Sequence, residues 1–321
     1  MIKIKHFIIF PLIAAVFLTA PAPASAFWIW TPESGRWINP KYAVKPSPAE
    51  QLVYADEFFQ IKKYQDAMRE YKKLLQHYPK AREAALAQFG VASVWEAMKK
   101  YWRAVGEYQK VVDRYPFSDL GPKVVERQYV IVNLFLEGQA RDQEFARSLF
   151  GTDYQIPEVF QKIIKNDPYG PNAPASQYKI GLFYLAKADY QQARDAFEKT
   201  ISDYPDSKWA ESARYQIAVA DSKRSVGAQY DQKTTSIAVS GFEDYVKMNP
   251  DSELSPAAKA EVQKLTEKEA ENNFVIGEFY AKHKKFKSAR LYWQAVVDKY
   301  AATSWAGKAA AKLNALPGDA P

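Results

Sequence analysis

Between residues 48 and 316 the apolar positions recur with helical spacing, and short polar or proline-marked breaks cut them into helix-sized segments. The pattern of one pair of segments returns in the next. Residues 48 to 79 carry Tyr54, Ala55 and Phe58 on a first predicted helix, then Ala67, Tyr71 and Leu74 on a second that stops at Pro79. The following stretch repeats this with Val91, Ala92, Trp95, Ala104, Tyr108, Val111 and Pro116, the prolines lying 37 residues apart. Further copies run through Ile180, Gly181, Tyr184, Ala193, Phe197, Thr200 and Pro205, and through Ile276, Gly277, Tyr280, Ala289, Trp293 and Val296. A small residue on one helix, an aromatic on the next and a closing proline, at a period of about 34 residues, mark the tetratricopeptide repeat. The glycines at 181 and 277 belong to that scheme. Each stands where two helices cross closely, and a helix glycine, about 1 kcal/mol worse than alanine, needs such a packing reason.

Two copies are stretched. Pro168 follows Pro116 by 52 residues and Pro250 follows Pro205 by 45, so polar insertions are expected near 138–155 and 227–236. The prediction is an all-α tetratricopeptide-repeat solenoid of about six helix pairs over residues 48–316, wound as a right-handed superhelix. A last helix near Trp305 to Leu316 would cap it, residues 317–321 would form a tail, and no strand pair competes.

The amino-terminal stretch has a different pattern. Lys3 and Lys5 precede an apolar run from Phe7 to Leu18 and then "PAPASA", which reads as a signal peptide over residues 1–26. The run is short of the roughly 20 residues that span a bilayer. Residues 27–47 form an aromatic, proline-rich segment with Trp28, Trp30 and Trp37. Indoles favour membrane–water interfaces, so this segment either rests on a membrane or folds back to cap the first repeat.

Composition removes several classes of function. Basic residues number 44 and acidic ones 37, interleaved along the predicted helices, which gives no concentrated face for nucleic acid. With no cysteine there is no disulfide, no thiolate metal site and no acceptor for a lipid at the predicted mature start. Of three histidines, His6 lies in the signal peptide, while His77 and His283 have no acid at metal-ligand spacing. Glu267, Glu269 and Glu271 alternate around one helix and read as solvated surface. No GxSxG, HExxH or phosphate-cradling glycine loop occurs, so no catalysis, metal or cofactor is expected. Binding candidates lie instead on the groove-facing side of the first helices. These are Leu52, Asp56, Phe59 and Gln60 in the first unit, Phe89, Ser93 and Glu96 in the second, and Tyr178, Leu182 and Leu185 in the fourth. Such side chains either hold an extended peptide or are covered by neighbouring helices.

The link "YPDSKWAESA" at 204 to 213 and the closing pair "EAENNFVIGEFYAKHKKFKSARLYWQAVVDKY" carry a family resemblance. The chain resembles the BamD family, periplasmic components of the outer-membrane β-barrel assembly machinery. The resemblance implies a non-catalytic scaffold in the periplasm, peripheral at the inner face of the outer membrane. Its first two units would receive unfolded outer-membrane proteins, and its last, around Phe274, Glu278, Lys282 and Lys285, would dock a BamA-like barrel insertase. Family members begin with a lipidated cysteine where this chain has Ala26 and Phe27, so partners or the tryptophan segment would have to hold it at the membrane. The alternative is a periplasmic interaction scaffold for cell division or secretin assembly, like CpoB or a pilot protein. CpoB-type chains place a trimerising coiled coil ahead of the repeats, and no sustained heptads occur here.

Overall fold

The computed structural model describes residues 28–31, 35–39, 43–138, 155–225 and 232–316. The predicted signal peptide, the insertion core at 139–154 and the tail at 317–321 lie outside the described residues. Among the described residues from 48 onward the chain is an all-α tetratricopeptide-repeat solenoid of six helix pairs with a closing helix. The pairs are α1 (Pro48–Gln60) with α2 (Tyr64–His77), α3 (Arg82–Ala97) with α4 (Tyr101–Arg114), and α5 (Gly121–Leu136) with α6 (Gln155–Asn166). Then come α7 (Ala173–Ala186) with α8 (Tyr190–Asp203), α9 (Lys208–Ser225) with α10 (Gln232–Met248), and α11 (Ser255–Lys282) with α12 (Phe286–Lys299), closed by α13 (Ser304–Asn314). The second insertion is shorter than the sequence suggests, because α10 begins at Gln232 and takes in the second half of the polar run.

The repeat pattern translates directly into packing. The small residues Ala55, Ala92, Gly181 and Gly277 are buried, and the aromatics Tyr71, Tyr108, Phe197 and Trp293 fill the space beside them. A Cβ on Gly181 would lie 2.4 Å from the Phe197 ring, and one on Gly277 2.4 Å from the Trp293 indole nitrogen, so the slot admits no larger residue without movement. The first helix of four pairs ends alike. Lys62, Lys99, Ala188 and Lys284 adopt left-handed φ near 60°, and the next residue's N–H reaches back to the carbonyl of Phe58, Trp95, Tyr184 or Tyr280. This closes the helix with the wide-turn bond of a Schellman-type cap.

A buried amide supplies a second tie that the apolar pattern does not reveal. Gln51, Gln88 and Gln177, four residues before the small slot, donate from Nε2 to the carbonyls of Glu70, Glu107 and Ala196, at 3.1, 3.2 and 3.1 Å. In the third pair, Gln128 turns instead to the carbonyl of Val105 on α4, at 3.3 Å. Each bond spans helices that apolar contact alone would leave free to slide.

The sixth pair departs from simple stacking. Helix α11 has 28 residues, about 42 Å at 1.5 Å per residue, twice the length of α7 and well beyond the 18 residues of α9. Its first half packs Ala258 and Leu265 against Phe242 and Tyr245 of α10. Its second half packs Ala270 and Phe274 with Trp293, Val296 and Ala309 of α12 and α13. The last pair is therefore carried beyond the array by one continuous helix. This corrects the reading of its glutamates. Glu271 is exposed, but Glu269 is buried beside Tyr300, and Glu267 accepts the Ser304 N–H at 2.9 Å and its hydroxyl at 2.8 Å, holding the start of α13.

The amino-terminal segment is not wholly irregular, as the strand-free reading held. Strands β1 (Ile29–Thr31) and β2 (Arg36–Ile38) pair antiparallel, with Trp30 opposite Trp37. Lys45 then ties the linker to the first repeat: its carbonyl accepts from the Tyr78 hydroxyl at 2.7 Å and its N–H donates to Gln51 Oε1 at 2.9 Å.

Candidate functional site

A ring recurs at one position of the first helices. At one position of five of the six first helices, Phe89, Tyr129, Tyr178, Tyr215 and Phe274 meet the aromatic of the partner helix, at centroid distances of 5.0, 6.2, 5.4, 5.6 and 6.2 Å, and α1 has Leu52 there. Tyr178 and Phe274 are buried there, whereas Phe89, Tyr129 and Tyr215 are half-buried. Leu52 and Phe59, half-buried, pack on the first core cluster, and Phe59 lies 5.8 Å from Tyr64. Phe89 is half-buried, edge-on to Tyr108, with the Lys123 ammonium 5.2 Å from its ring.

The polar candidates of the same face are held by hydroxyls from below. Tyr71 donates to Asp56. Ser93 shares a 3.2 Å contact with the Tyr108 hydroxyl, which donates to Glu96 at 2.8 Å, and Glu96 also pairs with Arg127. Burial pushes both phenols above the usual tyrosine range, and Asp56 or Glu96 beside them adds to it, so each stays protonated and donating. Gln60 is exposed at the end of α1. Glu96 is largely occupied by Tyr108 and Arg127, whereas Asp56, exposed and accepting from Tyr71, can also accept from an extended chain while the half-buried rings hold its apolar side chains. Farther along the groove the space is used internally. Lys179 donates to Asn133 at 2.6 Å and sits 5.5 Å from the Tyr129 ring, its pKa lowered by burial. Tyr178 is buried, while Leu182 and Leu185 are half-buried against Tyr178's cluster.

The last pair offers a second surface, and it differs from the one expected. Phe274 is only 6% exposed, wedged between Trp293 and Trp305, and its carbonyl accepts the Trp293 indole N–H at 3.1 Å. It is a core residue. Glu278 is exposed and paired with Lys312 at 2.9 Å, and Lys282 and Lys285 are exposed. The residues that sequence reasoning passed over are Val275 and Phe279, 52% and 57% exposed on the same helix. Two residues beyond the small slot, earlier repeats bury Val94, Phe183 and Ala220. Val94 joins the cluster of Tyr71 and Leu74 on α2, and Phe183 that of Phe160 and Ile163 on α6, the preceding second helix in each case. Phe279 has no such helix, because α10 lies against the first half of α11. Its ring neighbours are Tyr280 of its own helix and His283 of its cap, at 5.6 and 4.3 Å. Val275 and Phe279 thus form an exposed apolar strip, followed along the chain by the exposed Lys282, His283, Lys284 and Lys285.

Residues 160–315 match the family model described as YfiO, outer membrane lipoprotein. The chain is 24% identical over 156 residues to outer membrane protein assembly factor BamD of Caulobacter vibrioides, covering 49% of this chain and 51% of that protein. It is 23% identical over 146 residues to the BamD of Rickettsia prowazekii, covering 46% and 58%. It thus spans about half the length of the curated relatives it matches. Among solved structures, the C-terminal part of a TPR repeat-containing protein from Cytophaga hutchinsonii is 16% identical with a TM-score of 0.38, over 82% of this chain and 87% of that one. A thermophilic TPR protein of Thermus thermophilus is 14% identical with a TM-score of 0.33, over 67% and 99%.

Proposed function

We propose that this BamD-like tetratricopeptide-repeat chain is a non-catalytic periplasmic scaffold of outer-membrane protein assembly, in which the last helix pair docks a barrel insertase. The observation that carries the reading is the exposed strip of Val275 and Phe279, which lies inside the segment that matches the family model. An apolar strip beside lysines suits a partner that brings an apolar helix or loop edged with acids. The groove of the first two units, with Phe59, Phe89, Asp56 and Glu96, takes extended segments of unfolded barrel proteins. Both surfaces bind, and neither assembles a nucleophile with a base.

The test uses the purified chain and the periplasmic domains of a BamA-like insertase. Val275→Ser with Phe279→Ser is expected to weaken the complex about tenfold or more while far-ultraviolet dichroism stays unchanged. Unaltered affinity would remove the strip from the interface. For the groove, Phe59→Ser with Phe89→Ser is expected to reduce capture of a urea-diluted barrel precursor, and undiminished capture would count against that assignment.

A further inference from the structure

The antiparallel helix pairs place all inter-repeat turns on one edge of the array. Several bonds register them there. The Lys45 carbonyl before α1 meets Tyr78 at the end of α2, Asn166 at the end of α6 donates to Gln109 near the end of α4 at 3.0 Å, and Ser252 after α10 donates to Glu211 near the start of α9 at 2.6 Å. Among the described residues six aromatic side chains are exposed, and five of them lie on this edge or in the hairpin that leads into it. Phe117 is 100% exposed and Tyr169 97%, each directly after the proline that closes a repeat. Trp28, Trp30 and Trp37 are all exposed. The register sets Trp30 opposite Trp37, and strand alternation adds Trp28 to the same face.

The residue after the closing proline also changes along the array. It is Lys80, Phe117 and Tyr169 in the first three turns, and Asp206 and Asp251 in the next two. Arg82 and Arg114, both exposed, add cations near the first two, the second of which also carries Asp113 and Asp119. A binding pocket in a partner would call for a compact patch. Single rings set apart on successive turns, among lysines and arginines, fit a flat anionic surface, where indole and phenol rings settle at headgroup depth and basic side chains meet the lipid charge.

We infer that the turn edge of the first three repeats, with the tryptophan hairpin, seats the array edge-on against an anionic bilayer surface, while the acidic turns at Asp206 and Asp251 keep the last pairs off it. The inference rests on the envelope location proposed above, but it needs no assembly partner. Vesicle binding and insertase docking therefore fail independently. The test is flotation of the exported chain with vesicles of phosphatidylethanolamine and phosphatidylglycerol. The chain is expected to float with them, less so as salt rises. The triple variant Trp28→Ser, Trp30→Ser, Trp37→Ser and the double variant Phe117→Ser, Tyr169→Ser are each expected to lower the bound fraction severalfold with helicity unchanged. Phe279→Ser, away from this edge, should float as the parent does, and Asp206→Lys with Asp251→Lys should float more strongly. Absence of flotation, or full flotation by both aromatic variants, overturns the inference, as does an equal loss on Phe279→Ser.

Discussion

Phe183 and Phe279 occupy the same slot of their repeats, two residues beyond Gly181 and Gly277, yet one is 5% exposed and the other 57%. The fourth pair follows α6 directly, so Phe183 closes on Phe160 and Ile163. In the sixth pair α10 is matched by the first half of α11, and the second half runs on without it. Burying a phenylalanine is worth about 2 kcal/mol. The fourth repeat gains that on folding, whereas the sixth leaves it to whatever docks there. Small slot and aromatic define a helix pair, but the length of its first helix decides whether the pair stacks.

The largest effect follows from the buried member. Phe183→Ala should cost about 3–5 kcal/mol, read from urea denaturation midpoints, and a cost under about 1 kcal/mol would show that the slot is not core. Next come Gly181→Ala and Gly277→Ala. Each added methyl collides with the ring beneath it, and in the second case with the indole that bonds the Phe274 carbonyl. Each should cost about 1–3 kcal/mol, although alanine raises helix propensity by about 1 kcal/mol. Similar losses would mean that the crossing within a pair is the same in stacked and offset repeats. A loss at Gly181 alone would break that equivalence.

The fold was legible because its rules are local. Small slot, ring and closing proline lie within one helix pair, and Ala55, Ala92, Gly181 and Gly277 all took their expected places. The offset was harder to see, because nothing in "LTEKEAENN" stops a helix or forbids one from ending. A sign did exist. From Pro250 to Ala301, the corresponding closing position, there are 51 residues against 37 between Pro79 and Pro116, an excess of about one helix. Phe274 was expected at the surface for a related reason: it has the apolar character of a contact, but the helix phase turns it onto Trp293 and leaves Val275 and Phe279 outside. Groove candidates such as Asp56, Ser93 and Glu96 follow from position alone, while the tyrosine hydroxyls that bond them depend on side-chain geometry no periodicity encodes.

A smaller effect probes the end of the offset module. Glu267→Ala removes the acceptor of the Ser304 N–H and hydroxyl, a loss comparable to that of a helix N-cap, about 1 kcal/mol. It should appear as faster amide exchange in α13 with the first four pairs untouched. Exchange quickened across the whole chain would instead mean that the last pair and the stacked repeats unfold as one unit.

The smallest effect on stability is the most telling for the comparison. Phe279→Ser should change the unfolding free energy by no more than about 0.5 kcal/mol, because the ring is more than half exposed and its ring neighbours among the described residues are Tyr280 of the same helix and His283 of its cap. The same serine at Phe183 would be severe. If Phe279→Ser did cost several kcal/mol, the slot would already be filled from within the chain and α11 would not carry the last pair clear of α10. If stability holds while insertase binding falls, the apolar energy that Phe183 contributes to folding is contributed by Phe279 to association.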